Sequence, residues 1–184
     1  MSTMVEEASQ VLANADLLYS DQQVQEALDR MGEAIHRQLA GSNPVVLAVM
    51  TGGLVTAGQL LPRMRCPLVL DYVHATRYRD GVSGGEIEWI SKPRIPLQDR
   101  TVLVIDDILD EGLTLKAILD YCKEQGARDV FSAVLVDKFL DREKALPAAS
   151  FTGLSVGDRY VFGAGMDYKG YLRNVPAIYA LRSE

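Results

Sequence analysis

The chain has 184 residues, 48% of them hydrophobic and 24% charged, a length and balance that suit one folded unit with a sizeable core and exclude a disordered chain. Its formal net charge of −6, with no dense Lys/Arg run, argues against a general nucleic-acid binder, which needs a basic face. An anionic ligand must then be held locally, by backbone amides, a few cations or a metal.

Residues 1–10 are acidic and lack a basic stretch followed by an apolar one, so no leader is expected there. No apolar run approaches the ~20 residues needed to cross a bilayer. A cytoplasmic protein without membrane association is the expectation. The two cysteines, Cys66 and Cys122, are not needed as a disulfide in a chain this apolar, and Cys122 falls on the core-facing side of a helix as a packed thiol.

In chain order, Ser20 and Gln23 form the capping-box pattern that opens a helix. Val24, Leu28, Met31, Ile35 and Leu39 recur at helical spacing before Gly41 closes it. Residues 45–50 read as a short strand buried on both faces. Gly52 and Gly53 follow, then a helix over 54–61 stopped by Pro62, and a strand over 68–73. Residues 76–96 are polar and glycine-bearing with weak strand character at 86–90, which marks a lid more than a core element. Residues 101–105 form a third buried strand, followed by an acidic turn and a helix over 114–125 with Gly126 as its cap. Residues 130–136 give a fourth strand and 175–181 a late one. Strands alternating with helices imply a mainly parallel α/β sheet, with ligands beyond the strands' carboxyl ends. His36 on a helix flank and His74 at a strand end read as structural, and no Cys/His spacing suits zinc.

The string over residues 102–115, V-L-V-I-D-D-I-L-D-E-G-L-T-L, carries the chemistry. A buried strand delivers Asp106 and Asp107, Asp110 follows, and Gly112 and Thr114 lead into a helix. A glycine turn at a helix N-terminus presents N–H groups to an anion, with phosphate the obvious choice. Acids beside it suit ribose hydroxyls or a hard cation such as Mg2+. The same spacing also fits an acidic turn with Asp110 as helix N-cap. No Walker string G-x-x-x-x-G-K-[ST] occurs.

That string resembles the phosphoribosyl-pyrophosphate signature of the type I phosphoribosyltransferases. Further segments resemble their hypoxanthine-guanine branch: residues 50–53 (M-T-G-G) its pyrophosphate loop, 134–138 (V-L-V-D-K) its strand ending in a base-reading lysine, and 160–174 its purine-binding segment. The resemblance runs from about residue 45 to 181. It implies a single-domain type I fold over residues 1–184, with a mainly parallel sheet flanked by helices, a mobile active-site loop over 76–96, a base-binding segment over 150–184 and a small hood from the terminal segments. The implied activity is transfer of a 5-phosphoribosyl group from 5-phosphoribosyl-1-pyrophosphate to a 6-oxopurine base.

The resemblance also implies roles. Asp106 and Asp107 hold ribose hydroxyls, directly or through Mg2+, and Asp110 is the acid/base at purine N7. Asp110, Glu111, Gly112, Leu113 and Thr114 wrap the 5′-phosphate. Thr51, Gly52, Gly53, Tyr78 and Arg173 face pyrophosphate. Lys138 donates to O6, Tyr160 stacks on the base, Val161 meets its edge, and Asp167 holds a second Mg2+. Homodimers or homotetramers are implied as well. Three positions depart from the family: Thr51 where lysine is common, Glu111 where many members have threonine, and Thr76-Arg77-Tyr78 at the lid tip, where Arg77 is a candidate to supply the missing charge. A sister enzyme selective for xanthine, and a nucleotide-sensing regulator on the same fold, are the rival readings.

Overall fold

The computed structural model describes residues 3–77 and 87–182. Helix α1 (Met4–Asn14) and strand β1 (Asp16–Tyr19) precede α2 (Asp21–Leu39). The Ser20 box forms as expected: its hydroxyl accepts from the Gln23 amide while the Gln23 side chain takes the Ser20 amide. A second box, Thr3 with Glu6, opens α1 and was not anticipated in the acidic N-terminus.

Strand β2 (Val45–Val49) is buried at every position and leads into α3 (Gly53–Leu60), which tightens into a 3-10 turn over Leu61–Arg63 where Pro62 cannot continue the helix. Then come β3 (Val69–Arg77), β4 (Ile87–Ser91), β5 (Thr101–Leu109), α4 (Leu113–Glu124), β6 (Asp129–Lys138), β7 (Phe151–Val156), β8 (Val161–Phe162) and β9 (Ile178–Ala180).

Six strands form one sheet in the order β4-β3-β2-β5-β6-β7, parallel throughout except for the antiparallel β3–β4 pair. From β2 the chain steps one way to β3, and from β5 it steps the other way to β6 and β7. This reversal opens a crevice between the carboxyl ends of β2 and β5, where open α/β sheets bind ligands. Alternate strand residues feed two cores. Val46, Ala48, Leu103 and Ile105 pack with α2 and α3, whereas Val45, Leu47, Val102 and Val104 pack with Leu115, Ile118, Leu119 and Cys122 of α4. Cys122 is a buried free thiol, pushed up to about 12 by burial.

One expectation needs correction, and the structure decides two points the sequence left open. The acids do not start a turn: β5 stays paired with β6 through Asp106, Ile108 and Leu109, because β6 itself runs on to Lys138. The helix is entered through Gly112, with φ of +80° and no side-chain cap, so Asp110 is not its N-cap. The late strand β9 belongs to a second, antiparallel sheet, β1-β9-β8, that joins both ends of the chain as the expected hood. Phe162 stacks on Tyr179 beneath it, at 5.7 Å between ring centres. Strand β4 pairs with β3, and its Trp89 packs 4.8 Å from Tyr121 of α4.

Candidate active site

The crevice is a cleft of about 420 Å3. Thr51 and Gly52 line it after β2, residues 106–114 run along β5 and the following turn, and Lys138 enters from the end of β6. Tyr160, Val161, Asp167 and Arg173 close the far side. Met50, Ala75 and Met166 supply apolar wall, and of these only Ala75 lies outside the segments singled out in the sequence. Tyr78 and the Arg77 side chain lie outside the described residues.

The paired glycines are required by contact. A Cβ on Gly52 would fall onto the Asp107 carboxylate and 2.9 Å from Arg173 Nη1. Gly53 does not line the cleft; it starts α3 against β5, where a Cβ would meet the Ile105 carbonyl oxygen at 2.6 Å. The bond between Met50 and Thr51 is cis.

Asp106 and Asp107 are adjacent carboxyls on β5; Asp106 is half-buried and Asp107 is 8% exposed. Burial, and then the neighbouring Asp107 charge, push Asp106 well above the usual carboxylate range. Burial also raises Asp107, opposed by its hydrogen bond with Asp106 and by the Arg173 guanidinium. Arg173 spans the cleft: it donates to the Gly165 carbonyl at 2.7 Å, lies 3.6 Å from Asp107 and pairs with Asp167 at 2.7 Å. The other Asp167 oxygen accepts the Gly170 amide at 2.7 Å, so this residue also holds its own turn. Among the described residues no group of three or more acid, His or Cys side chains is arranged to hold a metal ion, and the Arg173 guanidinium lies between Asp107 and Asp167.

On the opposite wall, Lys138 Nζ pairs with Asp110 at 2.9 Å, and its side chain is 11% exposed. The second Asp110 oxygen is buried with no partner. Tyr160 is half exposed, its hydroxyl donating to the Asp167 carbonyl at 3.1 Å, and Val161 is buried in β8. Leu113 and Thr114 begin α4, where no side chain caps the first turn and the helix dipole favours an anion. Glu111 turns to a cation, as its charge demands beside such a turn: Arg142 lies 3.4 Å away and reaches Asp158 at 3.3 Å. Asp158 in turn stands 3.8 Å from Lys138. Arg142 and Asp158 were not foreseen, because nothing in the sequence pairs the charged run over 141–144 with Glu111 or with Asp158.

The Phosphoribosyl transferase domain family matches residues 14–169. The hypoxanthine-guanine phosphoribosyltransferase of Streptococcus pneumoniae is 30% identical over 169 residues, covering 91% of this chain and 93% of that one. A bifunctional protein TilS/HprT of Listeria innocua is 33% identical over 169 residues, and this chain spans only 26% of its length. Among solved structures, a hypoxanthine phosphoribosyltransferase from Staphylococcus aureus superposes with a TM-score of 0.86 at 26% identity, covering 93% of this chain and 94% of that one. A hypoxanthine-guanine phosphoribosyltransferase from Bacillus anthracis gives 0.82 at 27% identity, covering 91% of this chain and 97% of that one. With the family match spanning most of its length on a type I fold, the chain belongs to the phosphoribosyl transferase domain family.

Proposed function

We propose that the chain is a purine salvage enzyme that transfers the 5-phosphoribosyl group from 5-phosphoribosyl-1-pyrophosphate to hypoxanthine or guanine, giving IMP or GMP and pyrophosphate. One observation carries this reading. Lys138 presents a buried ammonium beside the unpartnered oxygen of Asp110. A donor next to an acceptor matches O6 and a protonated N7 of a 6-oxopurine, and an ammonium disfavours the 6-amino group of adenine.

The other roles follow from position. The amides of residues 110–114 hold the 5′-phosphate at the start of α4. Thr51, Gly52 and Arg173 receive pyrophosphate, and Tyr160 stacks on the base over Val161. Tyr78 and the 76–96 lid cover the site during reaction. The adjacent Asp106–Asp107 pair suits Mg2+, which takes oxygen ligands and commonly needs only one or two carboxylates beside substrate phosphates; Asp167 is the candidate for a second ion. When bound, Mg2+ neutralises charge on pyrophosphate as it leaves.

The chain's own residues align the two substrates, so the purine ring nitrogen approaches ribose C1 opposite the departing pyrophosphate oxygen. The bond from C1 to that oxygen breaks while the bond from C1 to nitrogen forms. Positive charge builds on the ribose ring and Asp110 takes, or holds at N7, the proton the base gives up. Closing the lid keeps water from the ribosyl cation. Apolar Leu70, Tyr72 and Ile90 lie exposed around β3 and β4, which supports assembly as a homodimer or homotetramer. Among the described residues no helix is long and apolar enough to cross a membrane, in keeping with a cytoplasmic enzyme. Pyrophosphate release that requires both the phosphoribosyl donor and a 6-oxopurine tests the reading; release with water alone refutes it.

A further inference from the structure

Residues 139–150 connect β6 to β7, and three successive members bear on the turn that enters α4. Lys144 Nζ donates to Asp137 Oδ1 at 2.5 Å and to the Leu109 carbonyl oxygen at 3.4 Å. The Ala145 amide donates to the Glu111 carbonyl oxygen at 2.9 Å. Leu146 packs on Gly112 so closely that a Cβ there would lie 2.8 Å from its own Cβ and 2.9 Å from its amide nitrogen. Side chain, backbone and side chain thus engage Leu109, Glu111 and Gly112 in order. Lys144, Ala145 and Leu146 themselves do not line the cleft.

Leu109 and Asp137 are register partners at the end of the β5–β6 pairing. Lys144 therefore bridges the two strands where their ladder stops and the turn begins. Its side chain is only 10% exposed, and a charge so withdrawn from water is tolerable only with its partners in place. The turn needs such support. It enters α4 through a left-handed glycine, and no side chain caps the first turn of the helix. Arg142, two residues before Lys144, adds to the arrangement by taking up the Glu111 carboxylate, which would otherwise repel a phosphate.

We propose that Lys144 is a positioning residue that, together with Ala145 and Leu146, holds residues 110–114 in the shape that receives the 5′-phosphate, without itself touching substrate. The inference rests on the phosphoribosyl-transfer reading for the identity of that phosphate.

Lys144→Met keeps the length of the side chain and removes the ammonium. In the ligand-free protein, amide exchange over residues 110–114 should speed about tenfold, with β2 unchanged. Affinity for IMP should fall about tenfold, and affinity for inosine, which lacks the phosphate, by less than about twofold. Lys144→Arg, which keeps the charge, should restore most of both. Unchanged exchange over 110–114 overturns the inference, as does equal weakening of IMP and inosine, which signals general loosening. If the unsubstituted protein binds neither IMP nor the phosphoribosyl donor, the functional reading fails, while the exchange comparison still decides whether Lys144 sets the turn.

Discussion

Replacing Lys138 by alanine separates base recognition from the rest of the site. The ammonium is 11% exposed and stands 2.9 Å from Asp110 and 3.8 Å from Asp158, so the two carboxylates aim it at one point. A hydrogen bond from a charged donor contributes about 1.5–3 kcal/mol when water cannot replace it. Its loss should lower kcat/KM for hypoxanthine roughly 10- to 150-fold. Adenine gains in relative terms, because its amino group no longer faces a cation. Global stability should fall by only about 1 kcal/mol, since Asp110, with 46% of its side chain exposed, recovers water. Initial rates with hypoxanthine, guanine and adenine at saturating phosphoribosyl donor, with melting temperatures alongside, read all three effects. An unchanged hypoxanthine-to-adenine ratio removes Lys138 from the recognition site and refutes the reasoning.

Gly52→Ala places a methyl on the Asp107 carboxylate and 2.9 Å from Arg173 Nη1, whereas an added Cβ at Gly58 has nothing within 4 Å. The first should cost at least ~100-fold in kcat/KM for the phosphoribosyl donor and the second almost nothing; similar activity in both would sink the close-contact argument. Glu7 accepts from Lys169 and Tyr168, each at 2.7 Å, and these bonds, Lys169 first, hold its carboxyl below its ordinary value of 4.5. A depressed acid stabilises the fold above its unfolded pKa and stops doing so as pH falls through the folded one. The melting gap between the natural chain and Glu7→Gln should thus be open at neutral pH and close on acidification. A gap that widens instead contradicts the sign.

Much of the fold was legible because its signals are local. The Ser20 box and the five-residue apolar stripe sit within one helix, and β2 and residues 102–105 of β5 are unbroken apolar runs. Strand β7 was not legible, because Gly153 reads as a breaker. In the structure a Cβ there would meet Met31 Sδ at 2.7 Å and the Leu135 carbonyl at 2.8 Å, so the glycine lets α2 and β6 close on the strand. The extension of β5 through its acids depended on the length of β6, which no residue of β5 encodes. Within the site, the string over 102–115 brought the acids and the turn into α4 together at one strand end and one helix start. Arg142 escaped because its partners are 16 and 31 residues away, a pairing that only the fold creates.

The central claim is most directly tested by supplying the purified chain with Mg2+ and phosphoribosyl pyrophosphate, together with hypoxanthine, guanine, xanthine or adenine in separate reactions. Asp110→Asn is carried through the same series. Nucleotide should form from hypoxanthine or guanine and not from adenine, and Asp110→Asn should lower turnover far more than substrate affinity. Absence of product from every base would contradict the account and turn attention to Thr51 and Glu111, on a fold that binds the sugar phosphate without transferring it.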